Sequence, residues 1–296
     1  MHERLTQLHV ALRGFGEAGS AFASGWNRSS IASVSAFDEK VNLPDERSAL
    51  EARFRQHRVT GCEDEASAFR DADLIFSLVY ADRALEAATA TARHLKAGAL
   101  YLDGNSCSPQ TKARAAESVT AAGGHYVDMA IMAPVLPRRE KTPVLLSGPL
   151  ADKACDLLRN LGMQARVVGI RVGAASAIKL TRSIMIKGME ALFAECFLTA
   201  RLNGVEDEVL ASLEESDPDI QWRKRRDYCM ERMTVHGRRR AAEMREAASM
   251  VAELGLPNDM AASTALWQQR LGDLLLPARE ISDVLEALLK PGEKLP

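Results

Sequence analysis

The hydrophobic positions follow two regimes that change near residue 170. Before it, short apolar runs (LHVALRGF, IASVSAF, ADLIFSLV, ALYLDG, HYVDMAIM, TPVLLSG and QARVVG) alternate with Ala-rich stretches of helical period. Runs of strand length separated by helix-length segments predict buried parallel strands joined by helical crossovers. From Ala174 onward the period is helical, with interruptions at Asn203-Gly204, Asp217-Pro218, Gly255-Leu256-Pro257 and Pro277. Gly and Pro at that spacing end helices, because one frees the backbone and the other removes a donor. The expected fold class is therefore α/β over residues 1–170, followed by an all-α C-terminal domain over 171–296.

Gly14-Phe15-Gly16-Glu17-Ala18-Gly19 stands directly between the first strand-like run and the helical SAFASGW. In a strand-turn-helix unit the first glycine permits the tight turn, the second lets backbone approach a pyrophosphate, and the third lets helix and strand pack closely. The helix that follows offers free N–H groups and the positive end of its dipole to phosphates. These six residues predict a Rossmann-type parallel sheet domain that binds a dinucleotide. Asp38 closes the second apolar run, about 20 residues further on, where a carboxylate accepts from ribose hydroxyls and repels a 2′-phosphate. NAD is the expected cofactor. Lys40 leaves NADP possible, and a loop Asp that meets only water is the plainer alternative.

Open parallel sheets bind ligands at the C-terminal ends of their strands, which adds two segments. The fourth strand is expected to end at Leu78-Val79-Tyr80, beside the adenosine and pyrophosphate, with Asp82 capping the next helix. The fifth is expected to end at Leu102, so that Asn105 and Ser106, in the turn from Asp103 to Pro109, approach the nicotinamide ribose. A helix-starting loop alone also explains Ser106, Ser108 and Pro109.

Composition narrows the class. The chain has 296 residues, 47% of them hydrophobic, enough for two cores. Lys+Arg of 38 against Asp+Glu of 40 leaves a net charge of -2, without the basic excess of a nucleic-acid binder. No apolar run approaches the roughly 20 residues that span a bilayer, and MHERLTQLHV reads straight into a strand without a cleavable signal. The expectation is a cytoplasmic protein with no membrane or nucleic-acid partner. Cys62, Cys107, Cys155, Cys196 and Cys229 show no metal-ligand spacing, so buried reduced thiols and no metal are expected.

The order GFGEAG, SLVYADRALEAA, YLDGNSCSP, GGHYVDMAIMAP and VGAASAIKLTRSIMIKG resembles the β-hydroxyacid dehydrogenase family, which includes 3-hydroxyisobutyrate and 6-phosphogluconate dehydrogenases. The stretch HGRRRAAEMREAASMVAELGLPNDMAA resembles the uncharacterised helical domain that follows such an NAD-binding domain in a subset of proteins. The resemblance implies an NAD(P)-dependent oxidoreductase moving a hydride between nicotinamide and a small hydroxy or oxo compound. It also implies a catalytic lysine at Lys179, with the family's Asn, four residues later, replaced by Ser183. The family's Asp-Ala-Pro-Val-Ser-Gly-Gly segment is matched by Asp128-Met129-Ala130-Ile131-Met132-Ala133-Pro134, which lacks the carboxylate-gripping serine. A dinucleotide-binding sensor without turnover and an imine-reducing enzyme are the alternatives.

A lysine at the substrate oxygen is chemically sensible, because a desolvated ammonium can give or take the hydroxyl proton. Lys179, Ser183 and Lys187 share one helix face at i, i+4 and i+8, with Arg182 beside it; a solvated amphipathic face has the same composition. Met129 and Met132 suggest an apolar pocket wall or plain core packing. The cationic run from Trp222 through His236 and Arg239 to Glu243 offers carboxylate forks and a proton carrier. It reads equally as a solvated helix, with His236-Gly237 a helix junction and Arg239 and Glu243 an i,i+4 pair. MEALFAECFLTARL and AAEMREAASMVAEL carry more apolar surface than one small bundle needs, so residues 171–296 are expected to serve both substrate binding and homodimerisation.

Overall fold

Each apolar run of the first half forms a strand: β1 (Leu8–Arg13), β2 (Ile31–Phe37), β4 (Leu74–Ser77), β5 (Leu100–Asp103), β6 (His125–Ile131), β7 (Val144–Ser147) and β8 (Ala165–Gly169). A two-residue β3 (Thr60–Gly61) is too short to show as a pattern. The computed structural model describes residues 7–276 and 281–288. The strands form one sheet in the order β3-β2-β1-β4-β5-β6-β7-β8. From β1 the chain steps outward to β2 and β3, then crosses back to place β4 on the other side of β1. The strand order thus reverses between β1 and β4, where their C-terminal ends open a crevice.

All neighbouring strands are parallel except β6 and β7, which pair antiparallel with Asp128 opposite Ser147 and Ile131 opposite Val144. The sheet is thus mainly parallel, as a Rossmann-type domain requires, with one antiparallel pair. Residues 132–143 hold only a short 3-10 turn, Arg139–Lys141, and without a crossover helix the chain can only return in the opposite direction.

Helices α1 (Glu17–Gly25), α2 (Pro44–His57), α3 (Glu65–Phe69), α4 (Ala84–Ala92), α5 (Pro109–Ala121) and α6 (Ala151–Asn160) complete the layers. Their starts are legible locally: Asp64 caps α3 by accepting from Ser67 N, and Ser108 caps α5, with Pro109 in its first turn. The central strands are buried on both faces, with Leu12, Ile75, Phe76, Tyr101 and Leu102 fully covered, which is why they read as continuous apolar runs.

The chain divides into two compact units, Met1–Lys179 and Leu180–Pro296. The boundary falls inside the 29-residue α7 (Ala174–Leu202). The second unit continues with α8 (Glu206–Ser216), α9 (Trp222–Glu253), α10 (Asp259–Asp273) and α11 (Ile281–Leu288). Asn203-Gly204, Asp217-Pro218 and Gly255 to Pro257 all fall between helices; Pro277 lies outside the described residues. Phe197, Leu198, Leu210, Met230, Met233 and Leu271 form this unit's core.

Gly237 is not a junction. It lies within the 32-residue α9, where a Cβ would come within 2.2 Å of the Gln268 carbonyl oxygen; one on Gly272 would come within 2.5 Å of Arg238 N. The two glycines let α9 and α10 touch backbone to backbone, and that contact outweighs the roughly 1 kcal/mol helix cost of glycine. Among the described residues no helix is long and apolar enough to cross a membrane. Cys107, Cys155 and Cys229 are buried, but Cys196 is exposed and Cys62 half-buried, so burial holds for three of the five thiols.

Candidate active site

Gly14 turns the chain out of β1 with φ +91, and a Cβ there would lie 2.5 Å from the Leu78 carbonyl oxygen, just beyond β4. A Cβ on Gly19 would meet the Gly14 carbonyl oxygen at 2.7 Å, whereas above Gly16 nothing lies within 4 Å. Two glycines are thus forced by packing, whereas Gly16 faces open space. α1 begins at Glu17 with no side-chain cap on its first turn, so its N–H groups face outward without a side-chain acceptor. Glu17 is exposed and Ala18 half-buried.

Phe15 contributes backbone only. Its ring is fully buried against Phe54, with centroids 5.1 Å apart, while its N–H donates to Asp38 Oδ2 at 2.7 Å. Asp38 Oδ1 accepts from Lys40 N at 3.1 Å. The Asp38 carboxylate therefore ties the end of β2 to the glycine turn, which a loop Asp facing water would not do. The Lys40 ammonium pairs with Glu46, and that bond raises its pKa. Arg13, unremarked in the sequence, is 2% exposed, stacks 5.0 Å over the Phe37 ring and pairs with Glu39 and Glu65.

β4 stops at Ser77, so Leu78, Val79 and Tyr80 form a loop and not a strand end. The reason is a side chain: Val79 N donates to Asn105 Oδ1 at 2.7 Å, taking it out of any ladder. Tyr80 is 69% exposed. Asp82 does not cap the next helix; it sits in the 3-10 turn Ala81–Arg83, and α4 starts without a side-chain cap. β5 runs one residue beyond Leu102, to Asp103. Asn105 is buried and donates to Ser77 Oγ at 3.0 Å and Asp103 Oδ1 at 2.7 Å, bridging the ends of β4 and β5.

Asp103 and Asp128, at corresponding positions of β5 and β6, anchor what surrounds them. Asp128 accepts from Ser176 N at 2.9 Å and Ser176 Oγ at 2.6 Å, and Ser147 Oγ accepts from Ala175 N at 3.0 Å. The start of α7 is thereby fixed to the sheet. One turn later Lys179 Nζ donates to Ser106 Oγ at 2.6 Å. Met132 packs with Ala130, Leu145 and Ala175, and Met129 is fully buried in the main core, so Met129 is core packing and lines no pocket.

The other expected substrate and catalytic residues belong to the second unit. Ser183 and Lys187 are buried, 3.4 Å apart, and Lys187 pairs with Glu243. Burial outweighs that carboxylate and lowers the Lys187 pKa. Arg239 also reaches Glu243, at 3.6 Å, giving the i,i+4 pair. Beside them Arg240 pairs with Glu190, which accepts from Gln268 Nε2 at 2.9 Å. Arg182 is exposed and His236 half-buried. The charged residues at 187, 190, 240 and 243 alternate with apolar core positions, which hid their burial from the sequence pattern.

Residues 9–169 match the NAD binding domain of 6-phosphogluconate dehydrogenase, more than half of the chain. The chain belongs to this family. Residues 200–271 match a domain of unknown function. A conserved hypothetical protein from Sinorhizobium meliloti 1021 is 34% identical, with a TM-score of 0.76, over 95% of this chain and 96% of that one. A conserved protein of unknown function, described as structurally similar to 3-hydroxyacid dehydrogenases, is 30% identical with a TM-score of 0.69, over 90% and 97%. The 3-hydroxyisobutyrate dehydrogenase of Mycobacterium tuberculosis, in complex with L-serine, shares the fold at 14% identity and a TM-score of 0.73, over 96% and 99%.

As a 6-phosphogluconate-dehydrogenase-type NAD-binding domain, the first unit binds NAD(P), and its residues fit that cofactor. The open space over Gly16 and the uncapped first turn of α1 suit a pyrophosphate in size and polarity. Asp38, at the end of β2, is of the residue type that suits a ribose, and Asn105 joins the loops after β4 and β5 beside the reversal point. The protein's fold is 3-hydroxyacid dehydrogenase-like.

Proposed function

We propose that this protein is an oxidoreductase acting on a CH–OH or C=O group of a small molecule, with Lys179 as its acid/base. The observation that carries the reading is the 2.6 Å bond from Lys179 Nζ to Ser106 Oγ. It sets an ammonium and a hydroxyl together on the turn that closes the cofactor crevice. When bound, the nicotinamide supplies or accepts the hydride. Lys179 gives the substrate oxygen its proton, or takes it, and Ser106, which accepts from Lys179, keeps its own O–H to donate to that oxygen. Gly14 to Gly19, Asp38, Leu78 to Tyr80, Asn105 and Ser106 hold the cofactor, with NAD preferred over NADP because of Asp38.

The turn that would grip a free carboxylate is the apolar Met132-Ala133-Pro134, of which Met132 packs on Ala130 and Leu145. A small free hydroxyacid held by that turn is disfavoured. Ser183 and Lys187 support the catalytic face of α7. A homodimer, formed through the helices of the second unit, and a cytoplasmic location complete the proposal.

The replacement of the family's serine and asparagine positions favours a second reading, a dinucleotide-binding sensor. The deciding experiment follows NADH and NADPH absorbance across a panel of hydroxyacids, aldehydes and imines. Turnover of any panel member supports the enzyme, and turnover confined to imines assigns it to imine reduction. Tight NADH binding with none supports the sensor.

A further inference from the structure

Beneath the Lys179–Ser106 pair lies a set of buried charges that the acid/base reading does not use. Lys112 on α5 is 0% exposed, Asp103 1% and Asp128 0%. Lys112 Nζ lies 2.8 Å from Asp103 Oδ1 and 3.5 Å from Asp128 Oδ1, and donates to the Asp103 carbonyl oxygen at 2.8 Å. Withdrawing three charges from water is costly, and apolar residues of like volume are often as stable in their place. Fold stability alone is a poor account of them.

The hydrogen bonds show what the charges hold. Asp103 accepts from Asn105 N at 2.9 Å and Asn105 Nδ2 at 2.7 Å, and from the Tyr126 hydroxyl at 2.5 Å. Asn105 immediately precedes Ser106. Asp128 accepts from Ser147 Oγ at 3.1 Å and twice from Ser176, which lies one helical turn before Lys179. One carboxylate therefore fixes the loop that carries Ser106, the other fixes the helix that carries Lys179, and Lys112 is the counter-charge they share.

We propose that Lys112 is a positioning residue, whose bridge between Asp103 and Asp128 sets Lys179 against Ser106. The two carboxylates outweigh the burial of Lys112 and raise its pKa, so the bridge stays charged through neutral pH. The chemical consequence of this placement rests on the acid/base role proposed above, whereas the placement itself does not.

The test is competitive acylation of the full chain with trace acetic anhydride across pH, with labelling read lysine by lysine by mass spectrometry. Lys112→Met and Ser176→Ala should each move the labelling midpoint of Lys179 by roughly half a pH unit or more, because its hydrogen bond to Ser106 shifts. Ser176→Thr, which keeps the hydroxyl, should stay near wild type. Lys96, paired with Asp73 at the surface, is the internal reference and should not move. If Lys112→Met does not fold, the isosteric Asp128→Asn takes its place. A Lys179 midpoint that is unchanged in both folded variants, even with lower thermal stability, overturns the proposal. Full turnover by Lys179→Ala would instead refute the acid/base reading and leave this result standing.

Discussion

Lys179 Nζ reaches Ser106 Oγ across 73 positions of sequence, at 2.6 Å. That closure joins the first turns of α7 to the loop after β5, and it makes Lys179 the group to remove first. Lys179→Ala should lower kcat by roughly 10²–10⁴, the usual range for a general acid or base, with NADH affinity nearly unchanged. Lys187→Ala, measured beside it, should act mainly on stability, because that ammonium is spent on Glu243. Turnover lost only in the Lys187 variant would reverse the two roles.

Asp38 should make NADH bind at least about tenfold more tightly than NADPH, which corresponds to about 1.4 kcal/mol. Asp38→Ser should narrow or invert the preference. The same substitution removes the acceptor for Phe15 N and Lys40 N, so a lower melting temperature should accompany it. Fluorescence titration with both cofactors measures the preference, and equal wild-type affinities would show that Asp38 does not face the 2′ position.

The contact between α9 and α10 leaves no room for a methyl group at Gly237. Gly237→Ala and Gly272→Ala should each destabilise the protein by about 1–3 kcal/mol, the usual cost of overpacking, read by denaturant melts. A neutral effect at both positions would mean that the helices can separate freely.

Lys187 gives stability a pH dependence of known sign. Burial lowers its pKa below the ordinary 10.5, so between the lowered value and 10.5 the unfolded chain binds more protons than the folded one. Its contribution therefore rises with pH across that window and is flat below it. The unfolding free energy of wild type minus that of Lys187→Met should climb as pH rises into the alkaline range. A difference that falls there would contradict the burial argument.

The second unit exposes Met185 and Leu192 on α7 and Tyr228 and Val235 on α9, each 47% or more accessible. Light scattering should return twice the 32.3 kDa chain mass, and Met185→Glu with Leu192→Glu should halve it. A monomer in the wild type at micromolar concentration would remove the dimer.

The alternation of apolar runs by itself determined the strands and their helical crossovers, because a strand buried on both faces must be apolar along its length. The glycine spacing determined the dinucleotide turn, because Gly14 and Gly19 meet backbone atoms where any side chain would collide. Local patterns cannot carry information about distant partners, and there the tertiary structure decided. The antiparallel β7, the loop at Leu78 to Tyr80 held by Asn105, and the close crossing at Gly237 and Gly272 all depend on segments remote in sequence. Lys112 and Lys187 look like ordinary helix lysines in the chain; only folding brings carboxylates to them and makes burying their charge tolerable. Lys179 and Ser106 were each legible as candidates, but their pairing required the sheet, whose Asp103 and Asp128 hold the loop and the helix in register.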